Sequence, residues 1–413
     1  MKNTLRSIGR FAAFPIAACV LAAFFCGAIS AADKPDAVTA GLDASRLAMI
    51  PQRMKEFVDK GTAAGFVTLV ARHGQIAALE AVGYQDLEAK TPMKTDTIFR
   101  IKSLTKPLTA AGVMVLADEA RVSLLDPVEK YLPEFKGIRL SPCAATRGAT
   151  CDPVTPTRAI TIRDLLTHTS GLPDGGPRGG PAPATLADLV AAGAKATLIS
   201  EPGAAWHYSN IGFATLGRLI EVISGQPYDV FMTEKIFKPL GMKDTCYFLP
   251  AEKESRLAAV YTQTNGALVL ASLAVRPQPP IPGPDGGLFS TALDQARFYQ
   301  MLLNKGALNG RRVLSARAAE LMTTNQTGEL KNVEFSPGLG MGFGFGVVRE
   351  AAGTFRYQTI GSFMKGGAYR TLAWGDPARD LVGVIMYQRT NGGGDVAPET
   401  NAFVSLAEAA VLP

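Results

Sequence analysis

The chain has 413 residues, of which 47% are hydrophobic, enough apolar material for one large domain or two interlocked domains. Its formal net charge is +6 at pH 7. Three of the positive charges, Lys2, Arg6 and Arg10, lie in an N-terminal leader, and the remaining excess is too small to indicate nucleic acid as a partner.

Residues 1–32 have the pattern of a secretory signal peptide. A basic start is followed by the apolar run Phe11–Ile29 and by small residues at 30–32, where we expect cleavage. Two alternatives are an uncleaved membrane anchor, since the run is long enough to span, and a lipoprotein signal ending at Cys19. The leading interpretation places the mature domain, residues 33–413, in the periplasm or outside the cell.

The cysteines agree with an oxidising compartment. Cys19 and Cys26 leave with the leader, whereas Cys143 and Cys151 bracket a short polar loop. We expect these two to form a disulfide; the alternative is a pair of free thiols in a flexible insert. Cys246 is then expected to be a small buried apolar residue.

Hydrophobic periodicity and turn residues predict the secondary structure. The predicted helices cover residues 43–60, 185–198, 210–224, 227–237, 290–304 and 397–411, with further helical segments at 103–116 and 160–166. The predicted strands cover residues 66–72, 76–84, 343–349, 355–360, 368–374 and 381–388. Strands near both ends with helices between them predict an α+β fold. Residues 43–100 and 335–413 would form one antiparallel sheet flanked by helices, and residues 101–334 a mainly helical insertion.

The segment Ser103-Leu-Thr-Lys106 lies where a strand-like run ends and a helix begins. Lys106 follows Ser103 by three residues, so both side chains point to the same side of the helix, and Pro107 falls in the first turn, where its missing N–H is tolerated. A serine becomes a nucleophile when a neighbouring base takes its proton, and a lysine can be that base if its pKa falls. The N–H groups at the helix start can hold a developing oxyanion.

The same tetrad occurs a second time, as Ser362-Phe-Met-Lys365, in a strand-like segment. Residues three apart in a strand point to opposite faces, so only the copy at Ser103 places serine and lysine side by side. The plain alternative for the first copy is a helix-capping serine and a solvated lysine.

Tyr208-Ser-Asn210 occupies a predicted turn just before a helix. A phenol beside a lysine ammonium can be pushed toward phenolate and act as a base, and Asn210 can hold the lysine or orient a substrate amide. The alternative is a packed tyrosine and a capping asparagine.

Lys365-Gly366-Gly367 opens a late strand, where the glycines would let a substrate approach the backbone closely. The N–H of Ala368 could pair with that of Ser103 as an oxyanion hole. The alternative is an edge-strand lysine followed by a bulge.

Together, a helix-start Ser-x-x-Lys, a turn Tyr-x-Asn and a strand Lys-Gly-Gly resemble the motif set of penicillin-recognising serine enzymes. The chain is most similar to the branch with class C β-lactamases, β-lactamase-like carboxylesterases, D-aminopeptidases and DD-peptidases. Other matching segments are Leu165–Leu172, Glu201–Gly203, Ile236–Met242 and Gly286–Thr291.

The resemblance covers residues 43–410 and implies a β-lactamase/DD-peptidase-like fold. It also implies roles in catalysis. Ser103 would be the acylated nucleophile, Lys106 its partner and Tyr208 the general base. Asn210 would be a ligand of the substrate or of the lysine.

Lys365 stands where the β-lactamases carry the lysine of Lys-Thr-Gly, but Gly366 replaces the threonine. The hydroxyl that helps to hold a β-lactam carboxylate is therefore missing. Esterase-like members often have Trp-Gly-Gly here, so Lys365, Gly366 and Gly367 combine the two patterns.

Other chemistries have little support. The chain lacks the Gly-x-Ser-x-Gly elbow of α/β-hydrolases, and its histidines, His73, His168 and His207, form no metal-spaced pair. His168 is expected to pack at a helix end, and Glu201 to be structural. Neither a metal nor a cofactor is implied.

We therefore expect a secreted serine hydrolase that forms an acyl-enzyme, with carboxylic esters as its favoured substrates. The alternatives are a DD-peptidase or β-lactamase and, from another class, a non-catalytic peptidoglycan-binding protein. The expected partners are small esters, amides or peptidoglycan-type molecules, with no nucleic acid and no membrane for the mature chain. The oligomeric state is left open.

Overall fold

A computed structural model describes residues 40–143, 151–174, 183–272, 281–331, 333–350, 357–392 and 397–413. The predicted signal peptide, with Cys19 and Cys26, lies outside the described residues. No helix within the described ranges is long and apolar enough to cross a membrane.

The strands in the described residues are β1 (Gly65–Arg72), β2 (Gln75–Asp86), β3 (Thr91–Pro92), β4 (Phe99–Arg100), β5 (Val260–Thr264), β6 (Ala267–Ser272), β7 (Phe289–Ser290), β8 (Ala307–Leu308), β9 (Arg311–Arg312), β10 (Leu339–Met341), β11 (Gly346–Val348), β12 (Phe363–Gly366), β13 (Thr371–Asp376) and β14 (Leu381–Met386). The helices there are α1 (Ala44–Asp59), α2 (Lys106–Asp118), α3 (Ile162–Leu166), α4 (Leu186–Gly193), α5 (Asn210–Ser224), α6 (Tyr228–Met232), α7 (Lys238–Leu240), α8 (Ala292–Leu303), α9 (Ala316–Thr323) and α10 (Pro398–Ala409).

An eight-stranded antiparallel sheet joins the two ends of the described chain. Its order is β10-β11-β12-β13-β14-β1-β2-β3. The seam between the early and the late strands is the β1–β14 pair, in which Thr68 lies opposite Ile385. The predicted α+β class and the antiparallel sheet from both chain ends are thus confirmed, and the β1–β2 hairpin turns at His73-Gly74, as expected.

Alternating residues of the central strands pack into two hydrophobic layers, one on each face of the sheet. Phe66 and Val70 of β1 pack with α1 and α10 on one face, whereas Val67 and Leu69 face the layer that contains α8 and the helical part. Because successive side chains of a strand point to opposite faces, a strand that is covered on both sides places alternate residues in different layers. Burial of one large apolar side chain contributes about 1.5–3 kcal/mol to the free energy of unfolding.

Helix α1 shows how the sequence fixes one of these layers. The Asp43 carboxylate accepts hydrogen bonds from the backbone N–H groups of Ser45 and Arg46 and so caps the helix start. The buried residues of α1 recur at the spacing of one helix face, at Leu47, Ile50, Met54 and Phe57.

Some predicted elements differ from the structure, and one hairpin is absent from the prediction. Helix α4 ends at Gly193, before the expected residue 198, and the expected strand at 355–360 is not formed in its described part, residues 357–360. The β5–β6 hairpin was not predicted, although Asn265-Gly266, both with positive φ, is the usual signal of a two-residue hairpin turn.

Cys143 and Cys151 form a disulfide, with a Cα–Cα distance of 6.0 Å, in agreement with the sequence-based expectation. The division into a sheet unit (about 43–100 and 335–413) and a mainly helical insertion (about 101–334) stays a proposal.

Candidate active site

Ser103 lies in a 3-10 turn, Lys102–Thr105, that leads from β4 into α2. Lys102 enters the turn with a φ of 49°, a conformation uncommon outside glycine. The Thr371 hydroxyl donates to the Ile101 carbonyl (2.9 Å), which ties the turn to β13. A Cβ at Gly367 would lie 2.1 Å from the same carbonyl oxygen, so only glycine permits this approach.

Ser103 Oγ is in contact with two potential proton-transfer groups. Lys106 Nζ lies 3.2 Å from it, and Tyr208 Oη donates to it at 2.7 Å. The 3-10 turn provides no side-chain capping bond, so Ser103 is not the helix cap of the plain alternative. The structure thus brings together the three residues that the sequence motifs singled out.

Lys106 is fixed by two further acceptors. Its Nζ donates to Asn210 Oδ1 and to the Asp285 carbonyl, both at 2.7 Å. Asp174 in turn accepts from Asn210 Nδ2 (2.9 Å), which sets the amide orientation so that its oxygen faces the lysine. Asn210 is therefore a ligand of the lysine, one of its two expected roles.

Burial controls the charge of Lys106, whose side chain is inaccessible to solvent. Burial lowers the pKa of Lys106 to about 7, helped by the positive charge of Lys365 and opposed by the carboxylates of Asp285, Glu334 and Asp174. The free amine, which is the form that can accept a proton from serine, is thus accessible near neutral pH.

Tyr208 responds to burial in the opposite direction. Burial raises the pKa of Tyr208 to about 12, outweighing the effect of Lys365. The resting side chain is therefore a neutral phenol. The expectation that a neighbouring lysine pushes Tyr208 toward phenolate does not agree with this raised pKa. As a neutral phenol it can donate a hydrogen bond to Ser103 or relay a proton.

His168 packs behind the tyrosine. Its ring centroid lies 4.5 Å from that of Tyr208, and its Nδ1 accepts the backbone N–H of Ser209 at 3.1 Å. Burial lowers the pKa of His168 well below its ordinary value, so the imidazole is neutral. This is the packing role near the end of α3 that the sequence indicated.

Lys365, on β12, places its ammonium group beside Tyr208 of the candidate active site. Its Nζ lies 5.0 Å from the centroid of the Tyr208 ring and donates to Glu334 Oε1 at 2.6 Å. Gly366 ends β12, and Ala368 lies in an exposed turn before β13. The expectation that Lys365-Gly366-Gly367 opens a strand at 368–374 is therefore wrong, because the motif ends one strand and the next begins only at Thr371. Within the Lys-Gly-Gly motif, Gly367 lies directly against the carbonyl of Ile101, the residue that precedes the Ser103 turn.

Other residues considered in the sequence take structural positions. The Glu201 carboxylate accepts from the backbone N–H and the hydroxyl of Thr157, both at 2.9 Å, as a structural residue would. Burial raises the pKa of the Cys246 thiol to about 11, which disfavours the thiolate form that a nucleophile requires. The described residues contain no group of three or more His, Cys, Asp or Glu residues arranged to hold a metal ion.

Sequence reasoning missed Asp174, Asp285 and Glu334. Each is far from Ser103 in sequence, and its isolated acidic side chain carries no local pattern. One partial signal exists for Asp285, since it lies in a Pro/Gly-dense stretch, residues 276–287, and loops of this kind often carry binding residues.

Comparisons with known proteins cover most of the chain. A family model described as Beta-lactamase matches residues 50–406. Esterase EstB of Burkholderia gladioli is 30% identical over 373 residues, covering 82% of this chain and 89% of the relative. Protein Rv1367c of Mycobacterium tuberculosis is 34% identical over 357 residues, covering 81% and 88%.

The fold of this chain is also similar to that of a solved hydrolase structure. EstCE1, described as a hydrolase with promiscuous acyltransferase activity, aligns with a TM-score of 0.75 at 25% identity, covering 89% of this chain and 99% of that one.

Proposed function

Because this chain belongs to the beta-lactamase family of serine hydrolases, we propose that it hydrolyses carboxylic esters through an acyl-enzyme on Ser103. The observation that carries the proposal is the contact of Ser103 Oγ with both Lys106 Nζ and Tyr208 Oη. A nucleophile that touches a base of pKa about 7 and a neutral phenol has the groups that acyl transfer needs.

In the first half-reaction, Ser103 Oγ attacks the ester carbonyl carbon while its proton passes to the neutral amine of Lys106. The negative charge that develops on the carbonyl oxygen is held by the N–H groups of Ser103 and Ala368. Ser103 is the second residue of its 3-10 turn, so its N–H has no partner within that turn. Collapse breaks the ester C–O bond, and the leaving alkoxide takes the proton from Lys106, directly or through Tyr208.

In the second half-reaction, water attacks the acyl-enzyme. The same amine accepts the water proton, and the departing Ser103 oxygen takes it back, which releases the carboxylic acid. Every proton is returned, and no metal or cofactor is needed for these steps.

A DD-peptidase or β-lactamase function is the second candidate, and the observation that favours it is the lysine of β12 beside Tyr208. An assay of short-chain esters, nitrocefin and peptides ending in D-Ala-D-Ala, run in parallel, separates the two. Inability to turn over any of them, in folded protein that also fails to be labelled at Ser103, would favour a non-catalytic binding protein. The leader supports a periplasmic or secreted location.

The wild-type protein is expected to hydrolyse p-nitrophenyl butyrate with a kcat/KM at least about ten-fold higher than that for nitrocefin. A β-lactam carries a carboxylate that must be held beside the scissile bond, and Gly366 offers no hydroxyl for it. A missing hydrogen bond to a charged group costs about 1.5–3 kcal/mol. Steady-state kinetics on one preparation measure the ratio, and a higher value for nitrocefin would contradict the argument.

The variant Gly366→Thr is expected to narrow this gap by raising the kcat/KM for nitrocefin, by up to about ten-fold, because it restores a hydroxyl next to Lys365. Ester turnover should change less, since a simple ester has no carboxylate to hold. Thermal unfolding of the variant provides the control for folding. An unchanged ratio in a folded variant would show that this hydroxyl does not limit β-lactam turnover.

A further inference from the structure

The Glu334–Lys365 ion pair is a part of the site that the mechanism does not use. Its Nζ–Oε1 distance is 2.6 Å, and both side chains are largely buried, with exposed fractions of 3% for Lys365 and 10% for Glu334. Because the pair lies beside Tyr208, it is close enough to act on a substrate bound at Ser103.

The structure holds Glu334 firmly in this position. The preceding Val333 is fully buried in a cluster with Trp206 and Met341. Glu334 itself has a φ of 49°, an unfavourable conformation for a residue other than glycine. Gly346 leaves room for its stem, since a Cβ there would lie 3.2 Å from Glu334 Cγ.

The charges around Lys106 are mostly negative. The groups that act on it electrostatically are Lys365 and the carboxylates of Glu334, Asp285 and Asp174. Lys365 is the one cation among these groups, and it is already paired with Glu334. An anion approaching Ser103 therefore gains no net attraction from these groups, and a second carboxylate would have to compete with Glu334 for Lys365.

Building on the proposed ester hydrolysis, we infer that Glu334 determines charge specificity: by occupying Lys365 it selects esters without a carboxylate beside the scissile bond. The lysine that would anchor an anionic substrate is retained but is engaged by an internal carboxylate. Glu334 thus acts through Lys365 and is not a catalytic residue.

The test uses two esters of the same acid and similar size, one with an anionic and one with a neutral leaving group: 3-(butyryloxy)benzoate and its amide, 3-(butyryloxy)benzamide. Phenol release, corrected for spontaneous hydrolysis, gives kcat/KM for each. The wild-type protein is expected to prefer the neutral ester by at least about ten-fold. This comparison needs no variant, and equal or better turnover of the anionic ester would overturn the inference.

Glu334→Gln removes the charge and keeps the shape. It is expected to lower the neutral-to-anionic ratio by at least about ten-fold, mainly by raising kcat/KM for the benzoate. Adding Lys365→Met to this variant should abolish the gain. The matched control is Glu329→Gln, since the Glu329 side chain is 86% exposed on the same segment, and this change should leave the ratio unchanged.

The pH profile gives a second readout that a merely structural role would not produce. Glu334 raises the pKa of Lys106 and Lys365 lowers it, so Glu334→Gln should move the acidic limb of kcat/KM for the neutral ester to lower pH. The inference would be overturned if folded Glu334→Gln hydrolysed the neutral ester with an unchanged neutral-to-anionic ratio of kcat/KM and an unchanged acidic limb. The proposed ester hydrolysis would not be affected by that result. Absence of ester hydrolysis in the wild type would overturn both.

Discussion

Replacing Ser103 by alanine is expected to lower kcat/KM for p-nitrophenyl butyrate by at least about 10³-fold without unfolding the protein. The hydroxyl is the only group of the proposed mechanism that forms a covalent bond to the substrate. Its loss leaves the positions of Lys106 and Tyr208 supported by other contacts, since Lys106 still donates to Asn210 and Asp285. Steady-state kinetics measure the effect, and circular dichroism checks the fold.

The chain offers a matched control in the second Ser-x-x-Lys tetrad. Ser362 is buried, and its hydroxyl has no hydrogen-bond partner among the residues that the structure describes, so Ser362→Ala should leave both activity and stability nearly unchanged. Wild-type turnover by folded Ser103→Ala would remove Ser103 from the mechanism, and a comparable loss in both variants would point to damage of the fold.

Lys106→Met is expected to lower kcat/KM by about 10²- to 10⁴-fold, the range that a positioned general base contributes. Methionine fills much of the buried volume but accepts no proton from Ser103. The control is Lys235→Met, at a surface lysine that pairs with Glu119, which should leave turnover unchanged.

The wild-type pH profile tests the same residue without a variant. The competent form of Lys106 is the free amine, so kcat/KM should fall about ten-fold per pH unit below a pH of about 7 and level off above it. Tyr208, with its raised pKa, stays protonated over this range and adds no second step near neutrality. A flat profile between pH 5 and 8 would contradict the role of Lys106 as base.

Local pattern was sufficient to select the residues that the structure brings together around Ser103. Ser103 and Lys106 are three residues apart at a helix start, and Tyr208 and Asn210 lie at the start of another helix, so each pair has its geometry set by nearby sequence. The resemblance to a known motif set supplied their order and thereby the expectation that they meet.

The ion pair that accompanies this centre could not be predicted in the same way. Glu334 reaches Lys365 because Val333 is buried and the backbone adopts a positive φ, and neither feature has a periodic signature. The raised pKa of Tyr208 could not be predicted from the sequence either. It depends on how completely the phenol is buried, and this is set by tertiary packing against residues such as His168.

Long-range contacts also explain the wrong element boundaries. The chain after Gly193 leaves the helix because Leu198 exchanges backbone hydrogen bonds with Arg139 and Ser141. Residues 357–360 were predicted as part of a strand, but Ile360 is exposed, and the backbone N–H and the hydroxyl of Thr359 donate to the side-chain carboxylate of Asp376 rather than to the backbone of a neighbouring strand. Tertiary pairing overrode local propensity in both places.

The most direct test of the account is to identify the residue that becomes acylated. Incubation with a p-nitrophenyl alkylphosphonate, followed by intact-mass and peptide mass spectrometry, would trap the attacking oxygen as a stable adduct. We predict one adduct per chain, located on Ser103, retained in Ser362→Ala and absent from Ser103→Ala. An adduct on any other residue, or none in folded protein that hydrolyses the ester, would contradict the proposed mechanism.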